Sequence, residues 1–129
     1  MTVNLLDANV LIALTVAEHE HHRPASAWAA TNGFALCPVV EGALVRFLVR
    51  LGESHATATA VLSALHSSER CEFWPDSVSY ARTDLSQVTG HRQVTDAYLV
   101  GLATSRGARL VTFDRRLAAA APAAVELLR

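Results

Sequence analysis

Lysine is absent from this 129-residue sequence; all eleven basic residues are arginine. Proline and glycine are scarce, and no Pro/Gly/Ser-rich stretch divides the chain. That excludes a flexible linker between two units and predicts a single domain over residues 1–129. Cysteine occurs only as Cys37 and Cys71, in no CxxC pair. This excludes a disulfide framework and predicts two reduced, packed thiols. Neither charge dominates: with twelve acidic residues the net charge is −1, so composition does not announce a general nucleic-acid binder, which is usually basic. No apolar run reaches the roughly 20 residues of a membrane span, because Asp7 and Asn9 interrupt the longest one near the N-terminus. That stretch has no basic segment ahead of it and carries Asp7 in its apolar part. It therefore does not read as a secretory leader, and the expected location is the cytoplasm.

What remains is an apolar, folded chain. Hydrophobic residues make up 51% of it, enough to exclude disorder. Short aliphatic or β-branched runs alternate with longer stretches of helical character. Strands are predicted over Val3–Leu6, Phe34–Cys37, Glu72–Trp74, Arg109–Phe113 and Val125–Leu128. Helices are predicted over Ala8–Ala17, from Pro24 to Asn32-Gly33, over Pro38–Leu51, His55–His66, Tyr80–Val88, Gln93–Ser105 and Arg115–Ala120. Thr89 to Arg92 reads as a polar loop. Uniformly apolar strands alternating with helices argue for an α/β fold: a three-layer α/β/α sandwich around a central, mostly parallel sheet. Ligands of such sheets bind outside the carboxyl ends of the strands, where strand order reverses.

Against that background four acids stand in apolar contexts. Asp7 ends the first strand, and Asp114 ends the run Leu110-Val111-Thr112-Phe113-Asp114. Glu41 and Asp96 lie in the first turns of their helices. Residues three, four and seven places after Glu41 are Leu44, Val45 and Leu48; the same offsets after Asp96 give Leu99, Val100 and Ala103. Both acids therefore sit on inward-facing stripes. Carboxylates are rarely buried without a partner. Close like charges raise one another's pKa values, and a helix dipole contributes at most about 2 kcal/mol. A hard divalent cation with oxygen ligands, magnesium or manganese, resolves the conflict. Such an ion activates water and stabilises the leaving oxygen of a phosphodiester. Simpler explanations exist one residue at a time. Asp7 and Asp114 are also placed to cap the helices that follow them, and Glu41 or Asp96 could pair with Arg46 or Arg92.

In order and spacing, Asp7-Ala8-Asn9-Val10-Leu11-Ile12, Val40-Glu41, Val94-Thr95-Asp96-Ala97-Tyr98-Leu99 and Leu110-Val111-Thr112-Phe113-Asp114 resemble the acidic signatures of PIN-domain ribonucleases. The resemblance is strongest to the VapC-type toxins of bacterial toxin–antitoxin systems, and it spans nearly the whole chain. It implies a Mg²⁺-dependent endoribonuclease, with Mn²⁺ as an alternative ion, and Asp7, Glu41, Asp96 and Asp114 around the metal. Asp7 and Asp96 are expected as direct ligands, Glu41 as a residue that orients or deprotonates water or holds a second ion, and Asp114 as the completing acid. Asn9 and Thr112 match small polar positions beside the site, although both also serve as ordinary turn and strand residues. Arg92, Arg115 and Arg116 are candidate contacts to RNA phosphate or simply solvated loop arginines. A homodimer and a small inhibitory antitoxin are the implied partners.

Three alternatives remain at this level: a PIN-type RNA-processing nuclease without an antitoxin, a binding module whose acids hold a structural cation, and a receiver-like phosphoryl acceptor. The last needs a lysine near its acids, and this chain has none. His19, His21 and His22 cluster around Glu20, but without a second ligand pair they read as a solvated loop rather than a zinc site. Trp28 and Trp74 read as core.

Overall fold

Two features of the chain decide the layout: short buried strands, and crossovers too long for hairpins. The structure, a computed structural model, describes residues 2–129. Its strands are β1 (Val3–Leu6), β2 (Gly33–Leu36), β3 (Cys71–Phe73), β4 (Leu110–Thr112) and β5 (Val125–Leu127). They form one sheet in the order β3-β2-β1-β4-β5, and every pairing is parallel. β1 is central, paired through Asn4↔Phe34 on one side and Leu6↔Val111 on the other. Parallel strands need both faces covered, which explains why β2 and β4 are buried along their whole length.

The helices are α1 (Ala8–Thr15), α2 (His22–Ala29), α3 (Pro38–Arg50), α4 (His55–His66), α5 (Val94–Ser105) and α6 (Arg115–Ala120). From β1 the chain moves outward through β2 to β3, then returns across the sheet to β4 and β5. Right-handed crossovers put α1 to α4 on one face and α5 and α6 on the other, giving the three-layer α/β/α sandwich expected from the sequence. Strand order reverses between β1 and β4, so the crevice that such sheets use for ligands opens at the carboxyl ends of these two strands. The core beneath it holds Leu5, Leu6, Leu11, Leu36, Leu44, Leu99, Leu102 and Leu110, all essentially inaccessible. Far from the crevice, Glu126 on β5 accepts from the Trp28 indole N–H at 2.9 Å and from the Asn4 amide at 3.3 Å. Trp28 is thus a packed and anchored residue, and Trp74 is buried.

Local chemistry accounts for the departures from expectation. The predicted helix over Tyr80–Val88 is absent. Only a 3₁₀ turn, Tyr80–Arg82, forms there, followed by irregular chain. Ser79 accepts from the Ala81 N–H, the Thr83 hydroxyl bonds the Ser79 carbonyl, and Asp84 accepts from the Ser86 N–H. These short polar side chains satisfy the backbone locally and compete with a helical ladder. The predicted polar loop over Thr89 to Arg92 runs into a second 3₁₀ turn, His91–Gln93, where the Gln93 side-chain Oε1 accepts from the Thr89 N–H at 2.6 Å. α1 stops at Thr15, two residues early, where the Thr15 hydroxyl bonds back to the Leu11 carbonyl. Cys37 and Cys71 are free thiols. Burial pushes both up to about 11, which keeps them protonated and unreactive.

Candidate active site at the carboxyl edge of the sheet

Asp7 is the first residue beyond β1, and its backbone N–H still bonds the Val111 carbonyl of β4. The strand pairing therefore fixes where its side chain begins. One carboxylate oxygen accepts from the Ala8 N–H at 2.7 Å and caps α1; the other accepts from the Thr112 hydroxyl at 2.7 Å. The residue is 7% exposed. Burial raises its pKa, the bonds from Thr112 and Ala8 oppose that rise, and the charge of Asp114 adds to it. Thr112, fully buried on β4, also accepts from the Asp114 N–H at 3.0 Å. One hydroxyl thus ties the ends of the two strands flanking the crevice. Asp114 itself caps α6, accepting from the N–H groups of Arg116 and Leu117.

Asp96 reaches the same region from the first turn of α5. It is half-buried, and among the described residues its carboxylate accepts no hydrogen bond. Its pKa is pushed up to about 6, by burial first and then by the charges of Asp7 and Asp114. The structure therefore brings three of the four acids into one another's field. The caps read from the sequence for Asp7 and Asp114 exist as well, so capping and clustering coincide.

Glu41 is the outlier. It lies in the first turn of α3, but its carboxylate meets the His66 ring nitrogen at 2.6 Å, and it is not among the charges that perturb Asp7 or Asp96. Its partner is neither Arg46 nor Arg92. His66 ends α4, 25 residues away, and no periodicity in the sequence signals that pairing. Arg92, Arg115 and Arg116 are exposed. None of the three forms an ion pair among the described residues, which leaves their guanidinium groups free for an anion. Asn9 is exposed in the first turn of α1 and lines a recess beside Asp114.

The donor chemistry fits a hard cation: oxygen ligands only, partly desolvated, mutually repelling. No three His, Cys, Asp or Glu side chains among the described residues stand close enough to ligate one ion together.

The topology and the aspartate cluster at its reversal point define a PIN domain, and the chain belongs to the PIN-domain family, which it matches over residues 5–122. Its relatives narrow this further. It is 58% identical over 120 residues to ribonuclease VapC29 of Mycobacterium tuberculosis, covering 92% of this chain and 90% of the relative. It is 41% identical to ribonuclease VapC39 of the same organism, covering 96% and 98%. Its fold superposes on the crystal structure of M. tuberculosis VapC20, a sarcin-ricin loop cleaving toxin, with a TM-score of 0.70 at 18% identity over 99% and 100% of the two chains. It likewise matches the crystal structure of VapBC2 from Rickettsia felis bound to a DNA fragment from their promoter, with a TM-score of 0.67 at 18% identity over 99% and 100%.

Proposed function

We propose that this chain is a divalent-metal-dependent endoribonuclease of the VapC kind, the toxin of a toxin–antitoxin pair. The observation that carries the reading is the convergence of Asp7, Asp96 and Asp114 at the strand-order reversal, with the Asp96 carboxylate accepting no hydrogen bond among the described residues and pushed up to about 6. A buried Asp7 and a half-buried Asp96, with the exposed Asp114 beside them, are destabilising to the chain alone and favourable to a cation. Its relatives are ribonucleases, and PIN-domain ribonucleases are in general divalent-metal dependent.

Mg²⁺, or Mn²⁺ in its place, would be held by Asp7 and Asp96, with Asp114 completing the acidic field. When bound, it supplies activation of water and charge stabilisation on the leaving oxygen. The protein's own part is positioning. Thr112 and the Ala8 N–H fix the Asp7 carboxylate. Asp96 keeps both oxygens available. Arg92, Arg115 and Arg116 bind RNA phosphate on the rim, where a planar guanidinium grips two phosphate oxygens at once. Asn9 and Thr112 support the site, one from the recess wall and one from beneath Asp7. Glu41 orients or deprotonates water only if its carboxylate leaves His66.

The partners proposed are an inhibitory antitoxin and a second copy of this chain. Solved structures of the same fold include toxin–antitoxin complexes. Val49, Leu51, Phe73, Tyr80 and Leu85 leave apolar surface exposed here. Purified protein incubated with total cellular RNA tests the nuclease directly. Cleavage with Mg²⁺ that stops with EDTA and in Asp7→Asn and Asp96→Asn is the expected result; cleavage that survives chelation and both substitutions refutes the reading.

A further inference from the structure

The loop between α1 and α2 is far more ordered than a solvated histidine cluster. The His22 ring Nδ1 lies 2.8 Å from the Ala13 carbonyl. A carbonyl only accepts, so Nδ1 carries the proton and pins the loop to α1. The His21 backbone N–H donates to His19 Nδ1 at 3.0 Å. The neutral His19 ring therefore carries its proton on Nε2, as a donor. The His21 ring stacks on Phe113, with centroids 4.6 Å apart and planes 23° from parallel. Phe113 sits between Thr112, which holds Asp7, and Asp114. The stack is thus joined through two peptide bonds to the aspartate site. Around it opens a recess of about 380 Å³ lined by Asn9, His19, Glu20, His21, Phe113 and Asp114. The His21 side chain remains 45% exposed there.

A preordered flat ring, half open to solvent and beside hydrogen-bonding groups of both polarities, matches what single-stranded RNA offers. Unstacked bases lie on aromatic or imidazole rings and present their edges to nearby donors and acceptors. A metal is a poor occupant: His19 Nδ1 is already bonded, and no three ligating side chains converge among the described residues. We propose that the α1–α2 loop and Phe113 form a nucleobase subsite next to the aspartates, in which a base flanking the scissile phosphate stacks on His21 while Asn9, the His19 Nε2–H and Glu20 read its edge. This rests on the ribonuclease reading and adds to it where along the bound strand a base is gripped.

The test is binding of a short, mixed-sequence, fluorescein-labelled single-stranded RNA to the Asp96→Asn protein, read by anisotropy. Adding His21→Ala is expected to weaken binding about tenfold, the loss expected when one base–ring stack is removed. His21→Phe, which keeps a flat ring without the imidazole nitrogens, should stay within about twofold of the Asp96→Asn parent. Equal binding by parent and His21→Ala overturns the proposal, as does an RNA-blind parent. Rescue by His21→Lys but not His21→Phe also overturns it, because the contact is then to phosphate. Failure of the ribonuclease reading shows elsewhere, as uncut cellular RNA with the unsubstituted chain and Mg²⁺. A chain that cuts RNA yet binds equally well with His21→Ala loses the subsite and keeps the function.

Discussion

Asp7 and Asp96 stand in each other's field on unlike supports. Asp7 grows from the seam between two paired strands, and both of its oxygens are engaged, one by the Ala8 N–H and one by Thr112. Asp96 grows from a helix whose approach, residues 75–93, is a chain of turns stabilised by Ser79, Asp84 and Gln93 side chains. Among the described residues its carboxylate meets no donor. The same chemical group is thus built once as a fixed point and once as an adjustable one. Under the proposed function, a cation that demands near-ideal geometry would be served by this division, with Asp7 as the fixed carboxylate and Asp96 as the one left free to adjust. The fixed member is held by hydrogen bonds that oppose the effect of burial, whereas the free member carries its desolvation and repulsion uncompensated.

The largest expected effect comes from removing either charge. Asp7→Asn and Asp96→Asn should each lower RNA cleavage by at least about 100-fold, because loss of a residue that only orients a metal ligand already reduces activity by ~10–100-fold. Initial rates on one RNA at saturating Mg²⁺ measure this, and a variant that keeps a tenth of its activity is not missing a ligand. Thr112→Val sharpens the contrast by loosening the fixed side alone. It strips a donor from buried Asp7 and an acceptor from the Asp114 N–H. Expected are a loss of about 10–100-fold in activity and ~1–3 kcal/mol in stability, read by cleavage rate and urea denaturation. Unchanged cleavage would show that the Thr112 bond does not set the Asp7 geometry.

This division was only partly legible in the chain. The strand-helix alternation, and Asp7 and Asp114 at strand ends, follow from local patterns, because β-branched runs and cap residues act within a few positions. The inward stripe behind Asp96 follows from helical period. Glu41 carries the same stripe, yet the structure pairs it with His66, a contact between two helices that no local spacing encodes. The segment after Tyr80 misleads for a related reason. Leu85 is 42% exposed, and with no core to meet, the turn-forming Ser79, Thr83 and Asp84 prevail over a helix. The histidine loop was visible as residues, but its stack on Phe113 was not, since that contact spans most of the chain.

A smaller effect separates the two aspartates through stability. The folded chain holds the Asp96 proton more tightly than the unfolded chain, with a pKa of about 6 against 3.8. Between these values the folded state binds more protons, so metal-free stability falls as pH rises from 3.8 to about 6 and stays reduced above it. Half-burial lets solvent screen part of this, leaving about 1 kcal/mol at neutral pH. Asp96→Asn, which carries no charge, should therefore melt ~3–5 °C higher than the parent in EDTA at pH 7. That gain should vanish near pH 4, and the rise in Tm on adding Mn²⁺ should be blunted. An equal Mn²⁺ shift in parent and variant would remove Asp96 from the list of ligands.

The smallest expected effects lie at Glu41. A general base contributes ~100- to 10,000-fold, and a carboxylate engaged by His66 at 2.6 Å is not free to act as one. Glu41→Gln should then reduce cleavage by less than about tenfold, well short of the loss at Asp7 or Asp96. His66→Ala should alter stability by under about 1 kcal/mol, as expected for a partly exposed pair, because the imidazole is 36% exposed and the carboxylate 16%. The double variant decides what the pair is for. If it only joins α3 to α4, Glu41→Gln and the double variant cleave alike and His66→Ala cleaves like the parent. If His66→Ala instead changes the rate and that change disappears in the Glu41→Gln background, the freed carboxylate has joined the aspartates. The separation between the fixed, the adjustable and the outlying acid would then be a difference of state rather than of place.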